Sequence, residues 1–414
     1  MASLSFFHLD DVHIGKERLG GALPSKDFSD AFNQAVGIAI KRNVSFVLIA
    51  GDFFDKARIE PDHLFEGESG LLRLKEARIP VIAIEGNHDV VSSYDARPSW
   101  LSYLNRVGLL RLLRTEFREG QPIMKEWTGE DPTGNWLDIN GVRIYGAGWF
   151  GASTAKRLEL LKPHLERREF TILMLHAGVN GMAEEFGMID REQLAIIRDK
   201  VNYVALGHMH KRYVVDGYAF NAGALEHWDL GEARYGDEKG YWLVDVRPDG
   251  TFRAEPGTVK RRHVHLANYS SNGLRTLEEL NTRVCDAART WDLTPESAVR
   301  VKLLGLPAFN VAEVDRKAVE LAIVQATGCM AAEVVPAFGR RLDAGAEDGA
   351  SVPREIIEAE EIEKLIEETG RYKDQGEVIH GLVRAVLKAR SDEELYADLL
   401  QQAAPILEVP NAHP

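Results

Sequence analysis

The chain has 414 residues, 45% of them hydrophobic and 28% charged, the balance of an ordinary globular protein and more length than one core usually serves. A formal net charge of −14 argues against a generic basic coat for nucleic acid, but not against an enzyme that meets phosphates through a local basic groove or bound cations. Only two cysteines occur, Cys285 and Cys329, which suits a reducing cytoplasm rather than a disulfide framework. No signal-peptide pattern, membrane-length apolar run or Walker A motif is present, so no membrane role is expected and any ATP hydrolysis belongs to a partner.

Strand and helix patterns alternate over the first 210 residues. LSFFHL (4–9) reads as a strand, and Asp27 to Arg42 as a helix on the spacing of Phe28, Phe32, Val36 and Ile40. SFVLIAG (45–51) is a strand, 60–78 a helix, PVIAIEG (80–86) a strand and 98–107 a helix. WLDINGVRIYGAGW (136–149) sets Asn140-Gly141 between two alternating runs, a hairpin signal. A helix (153–168), the strand FTILMLH (170–176), a helix (190–198) and the strand YVALG (203–207) follow. A second hairpin, YVVDGYAFNAG, and the strands YWLVDV and TFRAE complete a layered α/β domain with mixed sheets, ending at 267.

From 268 to 340 the pattern is helix, strand, helix, strand, a small α+β unit. Residues 341–352 are small and polar and read as a linker. The tail, 353–414, reads as three short amphipathic helices. Its apolar positions are Ile356, Ile362 and Leu365 on the first and the stripe Val378, Ile379, Leu382, Val383, Val386, Leu387 on the second.

The chemistry is concentrated at the strand ends. The first strand runs into DDVH, the second into GDFFD (51–55), the third into GNHD (86–89), and later ones into LHAG (175–178) and GHMH (207–210). In open α/β sheets, sites form beyond the carboxyl ends of strands. A lone buried histidine is ordinarily structural, but five coincident clusters of Asp, His and Asn point to metal ligation. Carboxylate, imidazole and amide donors without thiolate suit Mn, Fe, Zn or Mg. So many ligands suggest two divalent ions, most simply Mn²⁺, sharing a bridging carboxylate. Such a pair would activate water and clamp a phosphate ester for in-line hydrolysis. Within HLDDVHIG, strand alternation groups Asp11 with His13 and sets His8 and Asp10 on the other side.

The ordered set D-x-H, GD-x-x-D, GNHD, H and GH-x-H resembles the calcineurin-like metallophosphoesterases. That resemblance implies a four-layer α/β/β/α fold. It assigns Asp11, His13 and His210 to one metal, Asn87, His176 and His208 to the other, and Asp52 to both. It makes His88 the catalytic group facing the scissile phosphate and Asp55 the residue that orients His88. FFHLDDVHIG, EGNHD and the stretch DGYAFNAGALEHWDLGEARYGDEKGYWLVDV further resemble the double-strand-break repair nucleases, including their bacterial SbcD branch. This implies a 3'-to-5' exonuclease and endonuclease, 268–340 as a DNA-contacting cap, a homodimer, and a tail that binds an SMC-like coiled-coil ABC ATPase. It implies action on DNA in the cytoplasm, at the nucleoid if the source is bacterial. The sequence departs from the family in Asp10, usually a small residue, and in Glu226, His227 and Trp228.

Other expectations follow from particular residues. Trp228 is a candidate to stack on a DNA end, with a core or dimer tryptophan the simpler reading. Leu64, Phe65, Leu71 and Leu72 with Trp100, Leu101 and Leu104 are candidates for a dimer bundle or for simple core. Basic clusters near 111–118, 156–168, 260–263 and 340–341 are candidates for a DNA path. Two other functions compete with the nuclease: a phosphodiesterase of small, cyclic-nucleotide-like substrates, and a non-catalytic scaffold for the ATPase.

Overall fold

The computed structural model describes residues 3–90, 98–182 and 189–339. Two six-stranded sheets lie face to face. The front sheet runs Phe252–Gly257, Tyr241–Val246, Leu4–Leu9, Phe46–Ala50, Val81–Ile84, Arg111–Leu112. The back sheet runs Tyr213–Val215, Ala219–Asn221, Tyr203–Gly207, Phe170–His176, Val142–Gly148, Trp136–Ile139. Parallel strands fill the centre of each and antiparallel ones lie toward the edges.

Side-chain alternation sorts the layers. Phe6, Phe46, Leu48, Ile82 and Ile84 face the other sheet, where they meet Phe170, Ile172, Met174 and Tyr203. Their neighbours Phe7, Val47, Ile49, Val81 and Ala83 face the outer helices Lys26–Arg42, Pro61–Glu76 and Trp100–Arg106. Leu173, Leu175, Val204 and Leu206 likewise face the back helix Thr154–Leu161 and its neighbours. The fold is therefore α/β/β/α. Continuous apolar runs appear in these central strands because both faces are covered.

Two hairpins form as their turn residues dictate. Asn140 and Gly141 take φ of 53° and 82°, the left-handed pair of a type I′ turn. The back helix expected to reach 168 ends at Leu161 and tightens into a turn over Lys162–His164. Pro163 lacks the N–H that would continue it. The helix expected over 190–198 is confined to Arg191–Ala195, opened by a capping box between Asp190 and Gln193.

A third sheet, all parallel, joins Val264–Ser270, Ala298–Gly305 and Ala331–Phe338, with helices Leu277–Ala288 and Arg316–Thr327 packed on it. The expected cut at 267 falls inside the first of these strands, VHLANYS, whose polar residues hid its period. This unit meets the rest through Leu23, Leu230, Ala298 and Ala331 and an Arg300–Asp229 ion pair of 2.8 Å. Ile356, Ile362, Leu365, Val378, Ile379, Leu382, Val383, Val386 and Leu387 lie outside the described residues, as does the expected linker.

His8 stitches the two sheets together. Its Nδ1 accepts from the Tyr203 hydroxyl at 2.9 Å and its Nε2–H donates to the Leu206 carbonyl at 3.1 Å. One turn nearer the site, Asp10 Oδ2 accepts from the Ala222 N–H at 2.9 Å. Asp10 is thus a second stitch between the sheets. Burial and the neighbouring Asp11 push its carboxyl well above the usual range.

Burial lowers His8 to about 3, so the folded protein keeps it neutral while the unfolded chain binds a proton near the ordinary value of 6.5. Its contribution to stability is complete above that value and is lost as pH falls toward the folded value. His8→Gln keeps a donor and an acceptor but does not titrate. Urea midpoints measured at pH 7 and pH 4.5 are expected to fall less for that variant than for the parent.

Candidate metal centre

Five strand ends converge at one edge of the sandwich. Past Leu9 the chain leaves the strand, and Asp11 and His13 take φ of 48° and 51°. Asp52 (φ 51°) and His208 (φ 91°) are also left-handed. Each such turn costs about 1–2 kcal/mol for a residue with a Cβ, strain that clusters where function requires it. Asp11 and His13 therefore reach the same place through left-handed loops, not through strand alternation. Gly51 and Gly86 make room: a Cβ on Gly51 would stand 2.3 Å from His176 Nδ1, and one on Gly86 2.1 Å from Asp52 Oδ1.

Seven expected ligands come together. Asp11, His13 and His210 form one cluster and Asp52, His176 and His208 another, each with donor atoms within 4.8 Å of one another. His13 Nε2 lies 3.2 Å from His210 Nε2 and 3.7 Å from Asp11 Oδ1. Asn87 Oδ1 lies 3.1 Å from His176 Nε2 and 2.9 Å from His208 Nδ1. Asp52 Oδ2 stands between the clusters, 3.2 Å from His176 Nε2 and 4.0 Å from His13 Nε2. Its Oδ1 accepts from the His88 N–H at 2.8 Å.

The residues fit divalent cations. Asp11 Oδ1 is buried without a hydrogen-bond partner while Oδ2 accepts from the His208 N–H. His176 gives its Nδ1–H to the Ala50 carbonyl at 2.8 Å, which turns Nε2 inward toward Asp52. Burial alone would lower His176, but Asp52 and Asp11 raise it to about 10. Burial and His176 lower His208 to about 4. Against the upward pull of burial, His176 and His13 hold the Asp52 carboxyl well below the carboxylate range.

Three outer features were not legible in the sequence. Glu232 accepts from His210 Nδ1 at 2.6 Å, from the fully buried Lys239 Nζ at 2.6 Å and from the Trp228 N–H at 2.8 Å. It lies on a six-residue turn of tight helix, Leu230–Tyr235, with no motif to announce it. Asp89 staples the loops together by accepting from the N–H groups of Gly86, Phe53 and Phe54. Burial and Asp52 raise it to about 8.

The third feature is how Asp55 and Trp228 are arranged around His88. His88 is oriented by the backbone carbonyl of Asp55, 2.7 Å from its Nδ1. The Asp55 carboxylate turns away to Trp228 Nε1 at 3.0 Å, His13 Nδ1 at 3.5 Å and Lys16 Nζ at 3.7 Å. A charged oxygen gains more from these three than from a ring whose donor is already satisfied. Trp228, a candidate either to stack on a DNA end or to pack within the protein, has its indole N–H bound to Asp55 and the Lys16 ammonium 3.3 Å from its ring centroid. It serves as a wall beside His13, His88 and His210, with ring centroids 6.0–6.4 Å away.

Oxygen and imidazole donors, buried at the carboxyl ends of parallel strands beside a positioned histidine, define a metal-dependent phosphoester hydrolase. The profile of the calcineurin-like phosphoesterases matches residues 4–212, and the chain belongs to that family. It is similar to the DNA double-strand break repair protein Mre11 of Archaeoglobus fulgidus, 31% identical over 298 residues, covering 67% of this chain and 64% of that one. The proteins of the same description from Saccharolobus solfataricus (29% over 217 residues; 51% and 50%) and Sulfurisphaera tokodaii (30% over 218; 52% and 51%) are also similar. The chain thus matches between half and two thirds of the length of these relatives.

Outer partners of metal-bound histidines typically change affinity by about 10–100-fold. Glu232→Gln keeps the size of the group but removes the charge that faces His210. It is expected to weaken Mn²⁺ binding, measured by calorimetric titration, by about tenfold within that range, with the far-ultraviolet circular dichroism unchanged.

Proposed function

We propose that this protein is a DNA nuclease, 3'-to-5' exonuclease and endonuclease, that processes double-strand-break ends with an SMC-like ABC ATPase. The observation that carries this reading is the pair of ligand clusters with Asp52 standing between them, beside His88. The similarity to double-strand-break repair proteins supports DNA as substrate. Asp11, His13 and His210 would hold one ion, Asn87, His176 and His208 the second, and Asp52 both. Bound divalent ions, Mn²⁺ first among the candidates, supply an activated water and charge neutralisation at the phosphate.

The chain's own groups do the rest. With Nδ1–H tied to the Asp55 carbonyl, His88 takes up and releases a proton at Nε2, the atom left for the substrate's leaving oxygen. The Asp52 hydrogen bond to the His88 N–H locks the histidine loop to the carboxylate that stands between the two clusters. Trp228 walls the site against lateral movement of the ring, and Lys16 brings a positive charge close by.

A homodimer is part of the proposal, with its face redrawn. Leu71, Leu101 and Leu104 are buried in the front core and are removed from the dimer candidates. Leu64 and Trp100 pack partly against the same core. Of the candidates, Phe65 (72% exposed) and Leu72 (46%) remain, and the exposed Tyr103 (39%) and Val107 (42%), on and just past the next helix, are added to that apolar face. The tail stripe from Val378 to Leu387 is the proposed seat of the ATPase's coiled coil.

Linear duplex DNA should be degraded in Mn²⁺. His88→Gln should lower the rate by about 10²–10⁴-fold, the range of a lost general acid or base, while leaving metal affinity intact. Asp52→Ala should lose both. Hydrolysis of small diesters with DNA untouched would replace this reading with the small-substrate one. Phe65→Glu with Leu72→Glu should halve the mass seen by light scattering; an unchanged mass places the dimer elsewhere or shows a monomer.

A further inference from the structure

At the opposite end of the front sheet from the metal cluster lies a cavity of about 690 Å³. It opens where the strands Phe46–Ala50 and Val81–Ile84 begin, between the carboxyl ends of the helices Pro61–Glu76 and Trp100–Arg106 and the Asn140 turn. The length of a five-residue strand, roughly 17 Å, separates it from the catalytic loops. Its volume is that of a pocket for a small organic ligand.

The lining is out of keeping with the chain. In a protein of net charge −14, Lys75, Arg78, Arg106 and Arg111 all line this cavity, and among the described residues no Asp or Glu does. Most other arginines near the core are matched: Arg114 with Glu85, Arg143 with Asp138, Arg262 with Asp27, Arg300 with Asp229. No ion pair joins any of the four cavity cations to a described residue.

Helix dipoles explain part of this. Lys75 and Arg106 sit in last turns, where a cation is favourable. Arg78 and Arg111 do not. Arg78 stands just past its helix with φ 58°, in the left-handed position that glycine usually fills. Arg111 is on the edge strand, half-buried against Trp127 at 5.3 Å from the ring centroid. Burial lowers its pKa, and no carboxylate offsets this.

The wall is also preorganised. The Trp127 indole Nε1–H donates to Asn105 Oδ1, which also accepts from the Leu112 N–H, and Asn105 Nδ2–H donates to the Pro132 carbonyl. One amide thus fixes the helix, the edge strand and the 127–132 loop around the cavity. Between the cations lies an apolar surface that includes Ile139 and Trp127. Phosphate charge with an apolar ring attached matches both parts.

We infer that this cavity is a second ligand site, separate from the metal centre, that takes a nucleoside phosphate, either free or as one unit of a nucleic-acid strand. Inorganic phosphate would use the cations alone and leave most of the volume unfilled.

The test uses the full chain carrying Asp52→Ala, stripped of metal, so that binding does not depend on catalysis or on the nuclease reading. Calorimetry with dAMP should show one site. Lys75→Glu with Arg78→Glu in the same background should weaken it at least about tenfold with an unchanged thermal midpoint. If that double variant does not fold, Arg106→Gln should give a smaller loss in the same direction. Tighter binding of a twelve-nucleotide single strand than of dAMP assigns the strand as the source; equal or weaker binding assigns the free nucleotide. Equal affinity for inorganic phosphate and dAMP overturns the nucleoside assignment. Undiminished dAMP binding in the folded variants, or none in the parent, overturns the site.

Discussion

One buried carboxylate, Asp52, organises the centre of this protein. One of its oxygens fixes the histidine loop through the His88 N–H, and the other faces imidazoles from the first and fourth motifs. A charge buried among apolar strands is tenable only with such company. The histidines, in turn, are held by backbone carbonyls and by Glu232. The chain of dependence runs outward to Lys239, a fully buried ammonium whose partner is Glu232. Against the upward pull of burial, Lys239 and His210 hold the Glu232 carboxyl well below its usual range. The site therefore rests on an alternation of charges three shells deep.

The two sheets make that alternation possible. Asp11, His13, Asp52, Asn87 and His88 descend from the front sheet, and His176, His208 and His210 from the back. Neither sheet carries a full set. His8 and Asp10 join the sheets directly beneath the ligands, so the stitching that sets the spacing of the layers also sets the spacing of the two clusters.

How much of this was legible depends on the length scale of each signal. Central strands announced themselves because both faces are covered, so the apolar runs are unbroken. The ligands did so because each follows such a run within four residues. Turn chemistry at Asn140-Gly141 was equally local. What escaped was non-local or mediated by backbone. Glu232 looks like any surface glutamate in a polar stretch, and only the fold sets it against His210, 22 residues away. Asp55 was legible as the residue that orients His88, but the atom that does so is its backbone carbonyl, which every residue has and no side-chain pattern announces. Strand parity grouped Asp11 with His13 although both stand in left-handed turns. Leu71 and Phe65 are alike in sequence, yet one is core and the other surface.

The split of ligands between two sheets has a consequence for biosynthesis. Asp11 and His210 lie 199 positions apart, and the strand that flanks the first, Tyr241–Val246, is made later still. A growing chain on the ribosome holds only four of the seven expected ligands, Asp11, His13, Asp52 and Asn87, until the back sheet has emerged and closed over the front one. Until then the chain lacks His176, His208 and His210, so each of the two clusters is incomplete and the site is completed only by closure of one sheet on the other.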